Sequence, residues 1–302
     1  MGSNTSGSKI VTVEFIVANS DYEAELGHFH VSAWSPTVGT VLDGVVERIW
    51  YFDGTMSYRR ERAFPNGLIE IIVQLDEPHR PVATDLGAPF PAVCVAGLQR
   101  QSTVVEAPAS RCRVLGIRLH PTAASTVLRW APNELLDRTV DLRDVLGRSA
   151  AELGERCFAA RDGAACVRIA VDWIAARMRE SAPVDSRIAY AITRLRAATP
   201  QSIAAVMAEV NLSSSQFIQL FRAGIGVSPK RYARIARFKC TIDAINAGES
   251  IADIAAHAGY FDQSHLSAEF REHSGFTVTE YRRALRYEGG SLAEPPATAS
   301  IS

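Results

Sequence analysis

The sequence predicts an α+β chain. A β-rich, barrel- or cupin-like N-terminal domain with a helical bridge precedes an all-α C-terminal domain of two helix-turn-helix units joined by a linker helix. Three observations predict this. Short β-branched and aromatic runs fill the first 120 residues, the apolar period turns helical beyond Thr122, and one helical pattern occurs twice between residues 203 and 281. A chain of 302 residues, 47% of them apolar, is long enough for about two domains of ~100–200 residues and apolar enough for packed cores. Wholesale disorder is excluded, because it needs low hydrophobicity and high net charge.

In chain order, residues 1–10 form a Gly- and Ser-rich head that is expected to be disordered. Residues 11–183 make the first domain, β-rich to about residue 120. Its strand-like runs are Arg48–Phe52, Leu68–Leu75, Ala92–Ala96, Thr103–Val105 and Val114–Leu119, parted by Asp53-Gly54, Pro65-Asn66-Gly67 and Glu77-Pro78. That spacing suits an antiparallel sheet or small barrel. Residues 121–182 are the helical bridge, where Ile169, Trp173, Ile174 and Arg177 share one helical stripe in an Ala-rich stretch. Ser181-Ala182-Pro183 ends it, since the residue before a proline resists helical geometry. Residues 184–287 make the second domain, and residues 288–302 (EGGSLAEPPATASIS) are expected to be a disordered tail.

The second domain contains an internal repeat. Ile203, Val206, Met207, Val210 and Asn211 lie on Ile251, Ile254, Ala255, Ala258 and Gly259 at an offset of 48 residues. Beyond the turn the offset becomes 49, because Tyr260-Phe261 occupies the place of Leu212 alone. Phe217, Phe221, Arg222, Gly226, Ser228 and Tyr232 then match Leu266, Phe270, Arg271, Gly275, Thr277 and Tyr281. Each copy has the grammar of a helix-turn-helix. An i, i+3, i+4, i+7 stripe makes the first helix, and Asn211 or Gly259 tolerates the left-handed turn. Ser213 or Asp262 caps the second helix, Phe221 or Phe270 anchors it, and Gly226 or Gly275 ends it. Between the copies, Ser228-Pro229 opens a linker helix over Lys230–Asn246, and Thr277-x-x-Glu280 is a capping box for a last helix. Two αα-hairpins of a structural bundle would satisfy the same pattern. A rigid linker helix, however, fixes the separation that reading two grooves roughly 34 Å apart on one duplex face requires.

Charge is unevenly spread. The chain carries 32 Lys+Arg and 33 Asp+Glu for a net −1, but residues 1–184 hold −3, residues 185–287 hold +4 and the tail holds −2. The positive part coincides with the repeat, which suits an anionic partner. No stretch approaches the ~18 apolar residues of a membrane span. The five cysteines, Cys94, Cys112, Cys157, Cys166 and Cys240, are scattered and never C-x-x-C, so reduced, mostly buried thiols of a cytoplasmic protein are expected. There is no G-x-S-x-G, no Gly-rich phosphate loop and no H-E-x-x-H, so no catalytic residue and no cofactor is assigned.

The stretches LSSSQFIQLFRAGIGVSPKRY and IADIAAHAGYFDQSHLSAEFREHSGFTVTEY, with Arg237 between them, resemble the AraC/XylS family of bacterial transcription regulators. The resemblance covers Asp185–Tyr287 and implies two helix-turn-helix units on one DNA face, with their second helices in the major groove. Carried over position by position, it implies base contacts at Ser215, Gln216, Ile218 and Gln219 in the first unit and at Gln263, Ser264 and His265 in the second. Ala268 falls on a further contact position. Ser215 and Gln219 stand where basic residues are common in the family, Ala268 replaces a frequent Arg, Val278 a usual Pro and Met207 a usually small residue. Direct readout is therefore expected to lean on neutral donors, with Gln219 and Gln263 on adenine and His265 on guanine or phosphate. Arg222, Lys230, Arg231 and Arg271 are assigned to phosphates, which position the protein without specifying sequence. Arg237, midway along the linker helix, is expected to pair with Asp253 and brace the two units.

The resemblance further implies double-stranded DNA and RNA polymerase as partners, a homodimer, and activation more often than repression. VERIWYFDG, FPNGLIEIIVQL, VAGLQRQSTVV and RVLGIRLHPTAASTVL look like the N-terminal domains of one subgroup, which leaves a small-molecule sensor and a plain dimerisation module both open. The candidates for an effector site are Arg59, Arg60 and Arg62 of the Arg59-Arg60-Glu61-Arg62 run, whose alternative is a solvated loop. Gly27-His28-x-His30 echoes the metal-binding start of a cupin barrel. No Glu follows at close spacing, and His79 and His120 are isolated, so no metal site is assigned. Two rival readings are a metal-dependent cupin-like enzyme fused to a DNA-binding tail and a ligand-independent architectural DNA binder.

Overall fold

A computed structural model describes residues 14–23, 26–40, 42–82, 87–181, 184–284, 286–287 and 291–294. The front of the chain is built on a seven-stranded antiparallel sheet. Its strands are β1 (Phe15–Tyr22), β2 (Gly27–Pro36), β3 (Val46–Met56), β5 (Ile69–Gln74), β7 (Val93–Ala96), β9 (Cys112–Leu119) and β10 (Thr139–Asp141), in the order β1-β2-β3-β9-β5-β7-β10. A second sheet holds β4 (Arg60–Ala63), β6 (Arg80–Pro81), β8 (Thr103–Glu106), β11 (Arg286–Tyr287) and β12 (Ser291–Glu294), in the order β11-β12-β4-β8-β6.

The bridge helices α1 (Leu142–Leu146), α2 (Arg148–Phe158) and α3 (Gly163–Arg179) cover one face of the larger sheet. Ile49, Ile71, Val95, Leu115 and Ile117, which point to that face, form one core with Leu153, Ala170, Trp173 and Ile174. β3 and β9 lie close because Gly116 accepts the Trp50 ring where any Cβ would overlap it. The stripe of Ile169, Trp173 and Ile174 read from the sequence therefore faces the core, and Arg177 donates to the Val127 carbonyl at 2.5 Å.

Three expectations need correction. The run Arg59–Arg62 is a loop only at Arg59, because Arg60–Ala63 pairs with β8 and with β12. Residues 291–294 of the tail, expected to be disordered, pair as β12 with β4. The bridge is interrupted by β10, which returns to the larger sheet beside β7. Residues 1–10, Ala182 and Pro183, and the rest of the tail lie outside the described residues.

The back of the chain is helical: α4 (Ser186–Leu195), α5 (Ile203–Glu209), α6 (Ser214–Ile225), α7 (Pro229–Asn246), α8 (Ile251–His257), α9 (Gln263–Ser274) and α10 (Val278–Arg283). Two cores form along α7. Phe217, Phe221, Ile225, Tyr232 and Ile235 pack with α4 and α5, while Phe238, Ile242, Ile254, Leu266, Phe270 and Tyr281 pack farther along.

The two halves meet in a built seam. Phe64, between β4 and β5, sits in the second helical core against Phe238 and Tyr281. Leu98 joins the first helical core. Tyr232 Oη donates to the Gly67 carbonyl at 3.2 Å, and Arg196 to the Asn66 carbonyl at 2.7 Å. Arg62 stacks on Phe276, and His273 meets the Arg100 carbonyl at 2.8 Å.

Candidate nucleic-acid interface

The repeat read from the sequence is two superposable helix-turn-helix units, α5-α6 and α8-α9, flanking α7. Each local rule holds at both copies. Asn211 (φ 53°) and Gly259 (φ 81°) take the left-handed turn, and Ser213 and Asp262 cap their helices by accepting from Gln216 N–H and His265 N–H. Gly226 (φ 87°) and Gly275 (φ 81°) end them in left-handed backbone, as the absence of a Cβ permits. Phe221 and Phe270 are fully buried.

Burying one face of a helix fixes what the other face presents. On α6, Phe217, Phe221 and Ile225 turn inward, so Ser215, Ile218, Gln219 and Arg222, at i, i+3, i+4 and i+7, share the exposed face. On α9, Leu266 and Phe270 turn inward, and Gln263, Ser264, His265, Ala268 and Arg271 are exposed. The structure thus brings all of these to exposed faces of the two second helices.

Gln216 and His265 are engaged within the fold. Gln216 closes a capping box, its carboxamide oxygen accepting from Ser213 N–H at 3.1 Å and from Ser213 Oγ–H at 2.8 Å. It stands three residues into the helix, where a Gln reaches back to the cap and away from the outer face. His265 accepts at Nδ1 from Phe261 N–H at 3.3 Å, stacks edge-on against Tyr260, and lies 3.9 Å from Glu269 through Nε2.

The cations divide in two. Arg187, Arg194, Arg234, Arg237 and Lys239 are spent on carboxylates. Arg222, Lys230, Arg231 and Arg271 are exposed and form no salt bridge among the described residues, although Arg271 exerts a weak attraction on Glu280. Arg237 does not meet Asp253, which lies in the cap of α8 with Ser250. It pairs with Glu269 at 2.7 and 2.8 Å, stacks on Tyr260 and donates to the Gly259 carbonyl. Arg234 joins Glu269 at 2.9 Å and Glu272 at 2.6 Å. The brace therefore runs from the linker helix to the second recognition helix, since Glu269 faces α7 whereas Asp253 belongs to its own helix start.

Glu269 is a buried carboxylate at this interface that no sequence motif announces. It is 4% exposed. Burial pushes its carboxyl up, but the hydrogen bonds from Arg237 and Arg234 outweigh that and leave it below the usual glutamate range. Burial raises the neighbouring Tyr260 phenol to about 12, so it stays protonated and shares a hydrogen bond with Thr241 at 3.0 Å.

None of the effector candidates Arg59, Arg60 and Arg62 lines the grooves around Tyr51 on the front half. Arg59 pairs with Glu106 at 2.7 Å, Arg60 lies in β4 opposite Glu106, and Arg62 bonds Ser102 at the seam. Arg60 and Arg62 are strand residues and Arg59 directly precedes the strand; Arg59 is tied within the second sheet and Arg62 serves the contact between the halves. An open groove of about 650 Å³ lies elsewhere on the front half, lined by Tyr22, His28, His30, Trp34, Tyr51 and Arg111 among others. His30 is held by Asp21 at 2.6 Å and Ser32 at 2.7 Å, and Arg111 clasps Asp53 at 2.7 and 2.9 Å.

Residues 206–284 match a family described as a helix-turn-helix domain, and residues 39–141 match a domain of unknown function (DUF6597). The chain is similar to the lactose operon transcription activator of Staphylococcus xylosus, 32% identical over 78 residues that make up 26% of this chain and 28% of that protein. It is also similar to the bifunctional transcriptional activator/DNA repair enzyme Ada of Escherichia coli K12, 27% identical over 106 residues, 33% of this chain and 30% of that protein. The chain therefore spans less than a third of the length of these curated relatives. Among solved structures it resembles ToxT from Vibrio cholerae O395, with a TM-score of 0.41 at 12% identity over 74% of this chain and 93% of that one.

Proposed function

We propose that the protein is an AraC/XylS-type, sequence-specific regulator of transcription that reads two successive major grooves; the match of residues 206–284 to a helix-turn-helix domain supports this reading. Two recognition helices, each with one exposed face and held apart by a single 18-residue helix, carry this reading. Ser215, Ile218 and Gln219 meet bases in one groove, and Gln263 and Ser264 in the next. Gln219 and Gln263 have the donor and acceptor pair that matches adenine N6 and N7. Arg222, Lys230, Arg231 and Arg271 hold phosphates and set the register. Gln216 and His265 support the helix starts behind these readers.

Regulation belongs to the front half. The groove beside Tyr51 and Arg111 is where a small-molecule effector would bind, and the seam at Phe64 and Gly67 would carry its effect to the recognition helices. Activation, through contact with RNA polymerase by a cytoplasmic homodimer, is the sense we assign. Names of the two curated relatives support it, since both are activators. Neither a catalytic step nor a cofactor enters this mechanism.

Replacing Gln263 tests the base readout. Gln263→Ala should weaken binding to a selected operator duplex by about 1–3 kcal/mol while leaving random duplex almost unaffected, as fluorescence anisotropy would record. Equal loss on both duplexes would remove Gln263 from base readout.

A further inference from the structure

The two helix-turn-helix units differ by one residue, and the structure identifies which residue is surplus. Leu212 precedes the cap of α6 and packs half-buried against the first core. In the second unit Tyr260 fills that inward place, buried in the second core. Phe261 is the addition. It is 92% exposed, one residue before the Asp262 cap of α9, and its N–H is tied to His265. A phenyl ring left in water forgoes all the stabilisation that its burial would bring.

The outer faces of the recognition helices differ in a complementary way. Ser215, Ile218, Gln219 and Arg222 of α6 correspond to Ser264, Ser267, Ala268 and Arg271 of α9. The first set includes an exposed apolar side chain, Ile218 at 37%. The second has no large one: Ser267 turns its hydroxyl back to the Gln263 carbonyl at 2.8 Å, and Ala268 is a methyl. What α9 lacks on its face stands instead in the turn that leads into it. Recognition helices meet bases with their N-terminal residues, so Phe261, Gln263 and Ser264 occupy the reading end of α9.

We propose that Phe261 is a specificity-determining residue of the second unit, its ring packing on a thymine 5-methyl group in the major groove beside the base met by Gln263. Of the base edges in that groove, only thymine offers a methyl, and it lies on the edge opposite the adenine that a carboxamide pairs with. Small side chains at 264, 267 and 268 let the helix approach closely enough for a ring outside its first turn to reach. This inference rests on the DNA-reading function proposed above.

The experiment uses the full chain and a duplex enriched from a random pool by repeated binding. Each thymine of the half-site read by the second unit is replaced singly by deoxyuridine, which deletes only the methyl. One such replacement should weaken binding about fourfold, the equivalent of one buried methyl group. Phe261→Ala should lose the same factor on the thymine duplex and nothing further on the deoxyuridine duplex, and Phe261→Leu should keep part of the discrimination. Because Phe261 is exposed, an unchanged melting curve is expected to accompany the loss. Independent, multiplying losses, or Phe261→Ala with full affinity, would overturn the inference and leave the regulator reading intact. A pool that never enriches would overturn both.

Discussion

Arg222 and Arg271 stand 49 residues apart at equivalent helix positions, exposed and without a salt bridge, while Arg234 and Arg237 are held by carboxylates. The difference is one of facing, since α6 and α9 each turn one side to a core and the other to solvent. An unpaired exposed guanidinium contributes little to stability, so removing it should register on binding alone. Arg222→Ala should leave the melting temperature within about 1 °C, consistent with the small effects of exposed charges. It should also flatten the dependence of log K on log salt by about 0.9 for duplex DNA. Titrations at several salt concentrations measure that slope, and an unchanged slope would take Arg222 off the phosphate backbone. With Gln263 the expectation is reversed, because a base reader alters discrimination and leaves the slope alone.

Between elements, the connection that matters most is that of α7 with α9. Glu269 is the only carboxylate reaching both Arg234 and Arg237 among the described residues, and its removal leaves two guanidinium groups without their buried partner. Glu269→Gln should cost about 3 kcal/mol at neutral pH, the low end of the range for breaking a buried pair because Arg234 is partly solvated. A depressed carboxyl stabilises the fold above its ordinary range near 4.5 and ceases to do so as pH falls through its folded value. Urea melts should therefore show the gap between wild type and Glu269→Gln closing as pH drops from 6 towards 3. A gap independent of pH would mean that packing, and not charge, is what Glu269 supplies. The elements also explain what could be read in advance. Helices α5 to α10 were legible because their caps, turns and apolar stripes are local and occur twice. β1 and β2 were not, since FIVANSDY and GHFHVSAWSP mix exposed apolar with inward small or polar residues and break the alternation of a one-sided strand. β4 offers only Arg-Glu-Arg-Ala, and its neighbouring strand β8 lies far along the chain. The candidate readers came from the family resemblance, and the repeat placed them on equivalent helices. The role of Glu269 was not legible, because ion pairs between α7 and α9 leave no trace in spacing.

For the whole molecule, the seam decides whether the front half can influence the back. Phe64 stands outside the helical domain in sequence and inside it in packing, against Phe238 and Tyr281. Phe64→Ala should destabilise the chain by about 3 kcal/mol, the lower part of the range for a buried phenylalanine, because the ring retains slight exposure. It should also separate the unfolding of the two halves, so that near-UV and far-UV transitions no longer coincide. A single coincident transition at wild-type midpoint would mean that the halves are not coupled through this ring. Charge follows the same division: residues 1–184 carry −3 and residues 185–287 carry +4, which suits an anionic partner for the helical half.

A protein engineer who transplants residues 184–287 as a ready-made reading head inherits an empty socket between α7, α9 and α10. Where Phe64 sat, solvent or rearranged side chains must enter, and the angle between the two reading helices is then set by a repacked core. The portable module is thus larger than the motif that advertises it: it includes the Phe64–Leu68 corner, borrowed from the opposite end of the chain.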